Sequence, residues 1–245
     1  MRSLFKLTII LLGSFSVGLA QAALTLDRTR AIFDAEEKSI SMNISNDNKK
    51  LPFLAQSWIE DSNHKKVTSP LVVLPPLQRI NMGERSLVRI AQSTGVSALP
   101  QDRETLFYFN LREIPPRPEQ ANVMQIALQT QIKLFWRPSA IRAEKGAVWQ
   151  DKIIFKKNAQ GFSIENPTPY YVTLSTMKHH FKKDNGVEIK EFNPVMIAPK
   201  SSETITLPTS AMNSFVITYI NDYGGHPEIK FVCDSSRICR ADSKK

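Results

Sequence analysis

Ser39-Ile40-Ser41-Met42-Asn43-Ile44-Ser45 alternates polar and apolar residues with period two, the pattern of a strand with one buried face. Asn46-Asp47-Asn48-Lys49-Lys50 follows as turn material, and Pro52 to Glu60 supplies the next short strand. Outward from there, Val72-Val73-Leu74, Ser86-Leu87-Val88-Arg89-Ile90 and Thr105-Leu106-Phe107-Tyr108-Phe109-Asn110-Leu111 read the same way. Pro75-Pro76 confines its surroundings to a sheet edge or a bend, because proline cannot donate to a ladder. The longest strand candidate runs from Asn122 to Arg137 and stops at Pro138. A second series covers Val148–Phe155, Phe162–Glu165, Tyr170–Met177, Glu203–Leu207, Phe215–Ile220 and Glu228–Cys233. No stretch carries a long, capped helical period, so the chain is expected to be all-β, two sandwiches in tandem. The polar stretch Ser139 to Gly146 places the boundary near residue 140, giving domains at 23–140 and 141–245.

The N-terminus reads as a leader. Arg2 and Lys6 accompany an apolar run from Leu7 to about Leu19, and Ala20-Gln21-Ala22 puts small residues where a signal peptidase reads. The run is too short and too broken by Gly and Ser to make a comfortable membrane span. Residues 1–22 are therefore expected to be removed, with the mature, exported chain starting at Ala23. Losing the two cations lowers the formal charge from +9 to +7. A basic chain suits nucleic acid, an anionic membrane or an acidic protein. Export, and the scattering of Lys and Arg along strands without a dense run or interleaved aromatics, argue against nucleic acid.

Cys233 and Cys239 are the two cysteines, and in an oxidising compartment a disulfide is the default for such a pair. Metal binding competes poorly, because two ligands without a second Cys or His pair nearby do not make a site. Catalysis finds no support either. His64, His179, His180 and His226 fall in no metal-binding spacing, and adjacent strand residues such as His179 and His180 point to opposite faces. Neither a Gly-x-Ser-x-Gly elbow nor a phosphate-cradling loop is present. Lys178 to Lys183 reads as a solvated loop or hairpin tip. No enzyme, metal or cofactor is expected.

Four segments carry a resemblance. Leu99-Pro100-Gln101-Asp102-Arg103-Glu104, running on through Thr105–Leu111 to Arg112-Glu113-Ile114-Pro115, resembles the signature segment of periplasmic pilus-assembly chaperones. Leu26-Asp27-Arg28-Thr29-Arg30, Asn166-Pro167-Thr168-Pro169-Tyr170-Tyr171 and Tyr219-Ile220-Asn221-Asp222-Tyr223-Gly224-Gly225 are similar to the same family, in order and at compatible spacing. The resemblance implies two immunoglobulin-like sandwiches set in an L with a cleft between them, working in the periplasm. It implies pilin subunits and adhesin as partners, an outer-membrane usher as recipient, and delivery for pilus assembly. An exported immunoglobulin-like adhesin or a pilus subunit is the alternative; either is expected to lack a strand, whereas two complete strand series are present here.

Site residues follow from the same resemblance. Met124, Ile126 and Leu128 share one face of the long strand, and the resemblance makes them the strand lent to an incomplete subunit. Period two alone is equally satisfied if that face points into the domain's own core. Hiding so apolar an edge when empty implies self-association. Arg30 and Lys133 match residues that hold the subunit's C-terminal carboxylate. Lys133 has the opposite parity to Met124, Ile126 and Leu128, so a regular strand puts it on the other face, and a bulge or strong twist is needed to join the two sets. Glu104, Arg137 and Asp222 match a trio between the domains that sets their angle. The short connection from Ile114 to Val123, with Pro115, Pro116 and Pro118, is similar to that of chaperones of rod-like pili.

Overall fold

The computed structural model describes residues 23–118, 120, 122–179, 186–207 and 212–242. The expected leader and the part of the lysine-rich run from His180 to Lys183 lie outside the described residues. Among those described, the regular structure is strands and short 3-10 turns, with no α-helix.

In the first half of the chain, β1 (Leu24–Leu26), β3 (Ser39–Asn46), β8 (Arg85–Gln92) and β6 (Leu71–Leu74) form a four-stranded sheet in that order. A six-stranded sheet faces it in the order β2 (Arg30–Asp34), β10 (Gln129–Arg137), β9 (Thr105–Ile114), β4 (Phe53–Asp61), β5 (Lys66–Val67), with β7 (Leu77–Ile80) also against β4. The alternation that opens the sequence does its work here. Met42 and Ile44 are fully buried while Ser41 and Asn43 face water. They pack with Phe33, Val88, Ile90, Phe109, Leu134 and Trp136 in one core, each large side chain stabilising the domain by ~1.5–3 kcal/mol. Pro75-Pro76 lies where the chain leaves the first sheet after β6 and joins the second as β7.

The second half holds β11 (Ile154–Lys157), β12 (Gly161–Asn166), β13 (Val172–His179), β14 (Val195–Ile197), β15 (Ser201–Thr206), β16 (Ser214–Ile220), β17 (Glu228–Cys233) and β18 (Ile238–Ala241). Hydrogen bonding runs through them as one eight-stranded sheet, β14-β13-β16-β17-β18-β11-β12-β15. That sheet closes on itself. Four strand spacings separate β12 from β16, about 19 Å in a flat sheet, yet the rings of Phe162 and Phe215 lie 5.2 Å apart. Phe155 and Phe231 complete this aromatic centre, with Phe155 edge-on to Phe162, Phe215 and Phe231. Cys233 and Cys239 are disulfide-bonded across the β17–β18 hairpin.

Two strand expectations need correction. The long strand does not begin at Asn122; its ladder starts at Gln129. β9 ends at Ile114, and Pro115 and Pro116 beyond it have no N–H to offer. On the other side β2 reaches only Lys133 to Arg137. Among the described residues, 123–128 therefore have no strand partner; the last main-chain tie is the Glu113 N–H to the Leu128 carbonyl at 3.0 Å, and the Gln125 side chain donates from Nε2 to the Pro116 carbonyl at 2.7 Å. The candidate at Val148–Phe155 likewise starts too early: a 3-10 turn, Gln150–Lys152, precedes β11, which begins at Ile154.

Candidate functional site

β10 has two working faces. Ile132, Leu134 and Trp136 point into the core of the first half. Lys133, Phe135 and Arg137 take the other face, toward the second half of the chain, where Phe135 meets the ring of Tyr171 at 5.4 Å. The β10–β9 register runs unbroken from Gln129 to Trp136, so no bulge re-aims Lys133. Its parity is simply that of the face opposite the core.

β2 lies parallel to β10 with Arg30 in register with Lys133, which sets two cations side by side on that face. Arg30 donates from Nη1 to the Ile220 carbonyl at 3.2 Å, and its guanidinium lies over the Phe135 ring, 5.9 Å from its centroid. Its Nε–H is buried without a partner. Neither Arg30 nor Lys133 joins an ion pair among the described residues. Burial lowers the pKa of both, and Lys133 is lowered further by the neighbouring Arg30 charge. Two partly desolvated cations with a spare donor form a receptor for an anion, and a carboxylate fits the guanidinium fork.

Four residues along the same face, Arg137 is placed differently. Its Nε and Nη2 donate to Glu104 Oε1 at 2.9 and 2.7 Å, and its Nη1 donates to Asp222 Oδ2 at 2.9 Å. The other Glu104 oxygen accepts the Tyr171 N–H at 2.7 Å, and the Glu104 N–H reaches the Pro169 carbonyl. Trp149 and Tyr170 lie against the guanidinium at 5.1 and 5.0 Å. Glu104 and Arg137 are both about 95% or more buried, whereas Asp222 keeps about a quarter of its side chain in water. Burial pushes the Glu104 carboxyl up to about 7, against the pull of Arg137 and of the Tyr171 amide. Arg137 is held above its ordinary value by Glu104 and Asp222 despite its burial. Gly224 closes the same junction at φ 78°, where a Cβ would lie 2.6 Å from Thr29 Oγ1.

The even-numbered apolar stripe continues past the end of the ladder. Leu128, Ile126 and Met124 are exposed to 36, 67 and 88%, rising with distance from Gln129. Ile132 and Leu134 are buried inside the domain, whereas every residue from 122 to 129 is exposed. Sequence reasoning missed the aromatics that seat the cations, Phe135, Trp149 and Tyr170. Phe135 carried a usable signal: a large apolar residue on the face opposite the core marks a second apolar contact.

The chain's first part, residues 23–142, matches the family of pili and flagellar-assembly chaperones, PapD N-terminal domain, and residues 148–231 match the pili assembly chaperone PapD, C-terminal domain. This chain belongs to that family of periplasmic pilus chaperones. It is 50% identical over 241 residues to the chaperone protein PapD of Escherichia coli, covering 98% of each chain. With the chaperone protein PmfD of Proteus mirabilis it shares 49% identity over 237 residues, 96% of this chain and 93% of the other. Among solved structures, a chain of the Salmonella enterica SafA pilin–SafB chaperone complex superposes with a TM-score of 0.73 at 25% identity, over 86% of this chaperone and 97% of that chain. The periplasmic chaperone SfaE superposes with a TM-score of 0.64 at 28% identity, over 84% and 98%. The family is not enzymatic.

Proposed function

We propose that this chaperone holds pilin subunits, the adhesin among them, through the Arg30–Lys133 pair and the exposed segment that precedes β10. The observation carrying the reading is the in-register placement of two partly desolvated cations, neither of which joins an ion pair among the described residues. A subunit's C-terminal carboxylate supplies the missing charge and sets the register. From that anchor the subunit's edge lies along residues 123–128, whose free main chain adds a strand to it. Leu128, Ile126 and Met124 then enter the subunit's incomplete core, each contributing ~1.5–3 kcal/mol on full burial. Residues 23–140 act as the holding domain and residues 141–245 as the second wall of the cleft, with Glu104, Arg137 and Asp222 setting the angle between them. The loaded chaperone passes its subunit to an outer-membrane usher, and the empty form covers the apolar segment by self-association.

Co-purification from the periplasm with the neighbouring pilin tests this. Wild type is expected to retain the subunit, while Arg30→Ala and Lys133→Ala lose it and remain folded. Retention by both variants sinks the carboxylate anchor.

A further inference from the structure

Glu113, at the far end of β9 from the cleft, is buried, yet it joins no ion pair among the described residues. One of its oxygens, Oε2, accepts two main-chain N–H groups, from Ala23 at 2.8 Å and from Leu24 at 3.0 Å. Both donors belong to residues that are themselves buried, at 8 and 2% exposure. The Ala23 carbonyl is held from the other side by the Asp47 N–H at 2.8 Å. A buried carboxylate served only by neutral amides is costly, and a nearby cation removes most of that cost. The first residue of this arrangement is also the first after the signal-peptidase site read from Ala20-Gln21-Ala22, and the family match begins at the same residue.

We infer that Glu113 is the receptor for the chaperone's own processed N-terminus. Hydrolysis of the Ala22–Ala23 peptide bond adds one water across it, leaving a carboxylate on Ala22 and an α-ammonium on Ala23. The nitrogen already 2.8 Å from Oε2 thereby becomes a cation, and the amide hydrogen bond becomes a charge-assisted one. Leader removal then completes the holding domain as well as releasing the chain. The inference concerns a different end of the domain from the cleft and stands whether or not Arg30 and Lys133 bind a carboxylate.

A cycle of four mature chains tests it: wild type, Glu113→Gln, and each of these with one extra alanine before Ala23. The extension keeps the Ala23 nitrogen as a peptide N–H donor and leaves the Leu24 N–H unchanged, so that only the charge moves. Urea unfolding at neutral pH is expected to show the extension raising the unfolding equilibrium constant roughly tenfold or more with Glu113 present, and less than about twofold in the Glu113→Gln background. Equal stability of wild type and its extended form overturns the inference, as does an equal loss in both backgrounds. Selective acylation of the α-amine at neutral pH gives an answer that needs no variant to fold. The native wild-type amine is expected to react at least tenfold more slowly than in urea, and an equal rate overturns the assignment.

Discussion

Lys133 and Arg137 sit on one face of one strand, four residues apart, and the protein treats them in opposite ways. Arg137 is closed in by two carboxylates and two aromatic rings. Lys133 stands beside another cation, Arg30, and has no counter-charge among the described residues. The first arrangement pairs its charges within the folded chain. The second leaves desolvated charge unpaired, a cost that an arriving anion offsets. Partnering therefore separates the cation engaged within the junction from the cations proposed to receive a ligand, although residue type and strand face are nearly the same.

The comparison breaks most easily at Arg137. Arg137→Ala leaves Glu104 buried without its cation, and urea unfolding at pH 8 is expected to show a loss of about 3–5 kcal/mol. Lys133→Ala in the same assay is expected to stay within about 0.5 kcal/mol of wild type or to rise, because it removes a desolvated, unpaired charge. Equal losses would erase the distinction.

Subunit binding reverses the order. Lys133→Ala deletes one side of the proposed carboxylate contact and is expected to cost about 2–5 kcal/mol of pilin affinity, read as a faster dissociation of the purified complex. A substitution with intact affinity would leave Lys133 a bystander and put the whole anchor on Arg30.

The same division runs along the apolar stripe. Ile132 and Ile126 share a parity, but Ile132 is buried in the domain core and Ile126 is 67% exposed. Ile132→Ala is expected to destabilise the free chaperone, at the low end of ~2–5 kcal/mol. Ile126→Ala is expected to leave the free chaperone's unfolding unchanged and to weaken the pilin complex by ~1.5–3 kcal/mol. An Ile126 variant that loses stability in the free form would show that the segment packs on its own domain.

These pairs also mark how far the sequence was legible. Period two at Ser39–Ser45 reports a buried face, and the segment is a strand in the fold; Thr105–Leu111 is a strand as well, largely buried on both faces. The same period carried the long strand several residues too far, since alternation records which way side chains point and not whether a neighbouring strand exists. Proline in the partner's extension decided that, at Pro115-Pro116. β1, β14 and β18 are too short to display any period. Lys133 looked inconsistent with Met124, Ile126 and Leu128 only while one strand was assumed to hold all four; Lys133 lies within β10, and the other three precede its first residue, Gln129. Its neighbour Arg30 could not be found from spacing at all, because a parallel pairing between distant segments creates the cluster. The aromatics around Arg137 come from the second half of the chain and were hidden for the same reason.

A final expected effect concerns the closed site and its response to pH. In an unfolded chain Glu104 titrates near 4.5, and burial in the junction raises it to about 7. Between those values the folded chaperone holds a proton that the unfolded chain has released. Stability from this group is therefore complete below about pH 4.5 and is lost as pH rises through about 7. The urea midpoint of wild type is expected to fall across that window relative to Glu104→Gln, whose side chain cannot titrate. A midpoint that instead rises with pH, against the same variant, would mean that the ion pair with Arg137 outweighs the cost of burial. In that case the junction would be held mainly by charge, and Asp222, the partly exposed member, would be the weaker of its two bonds.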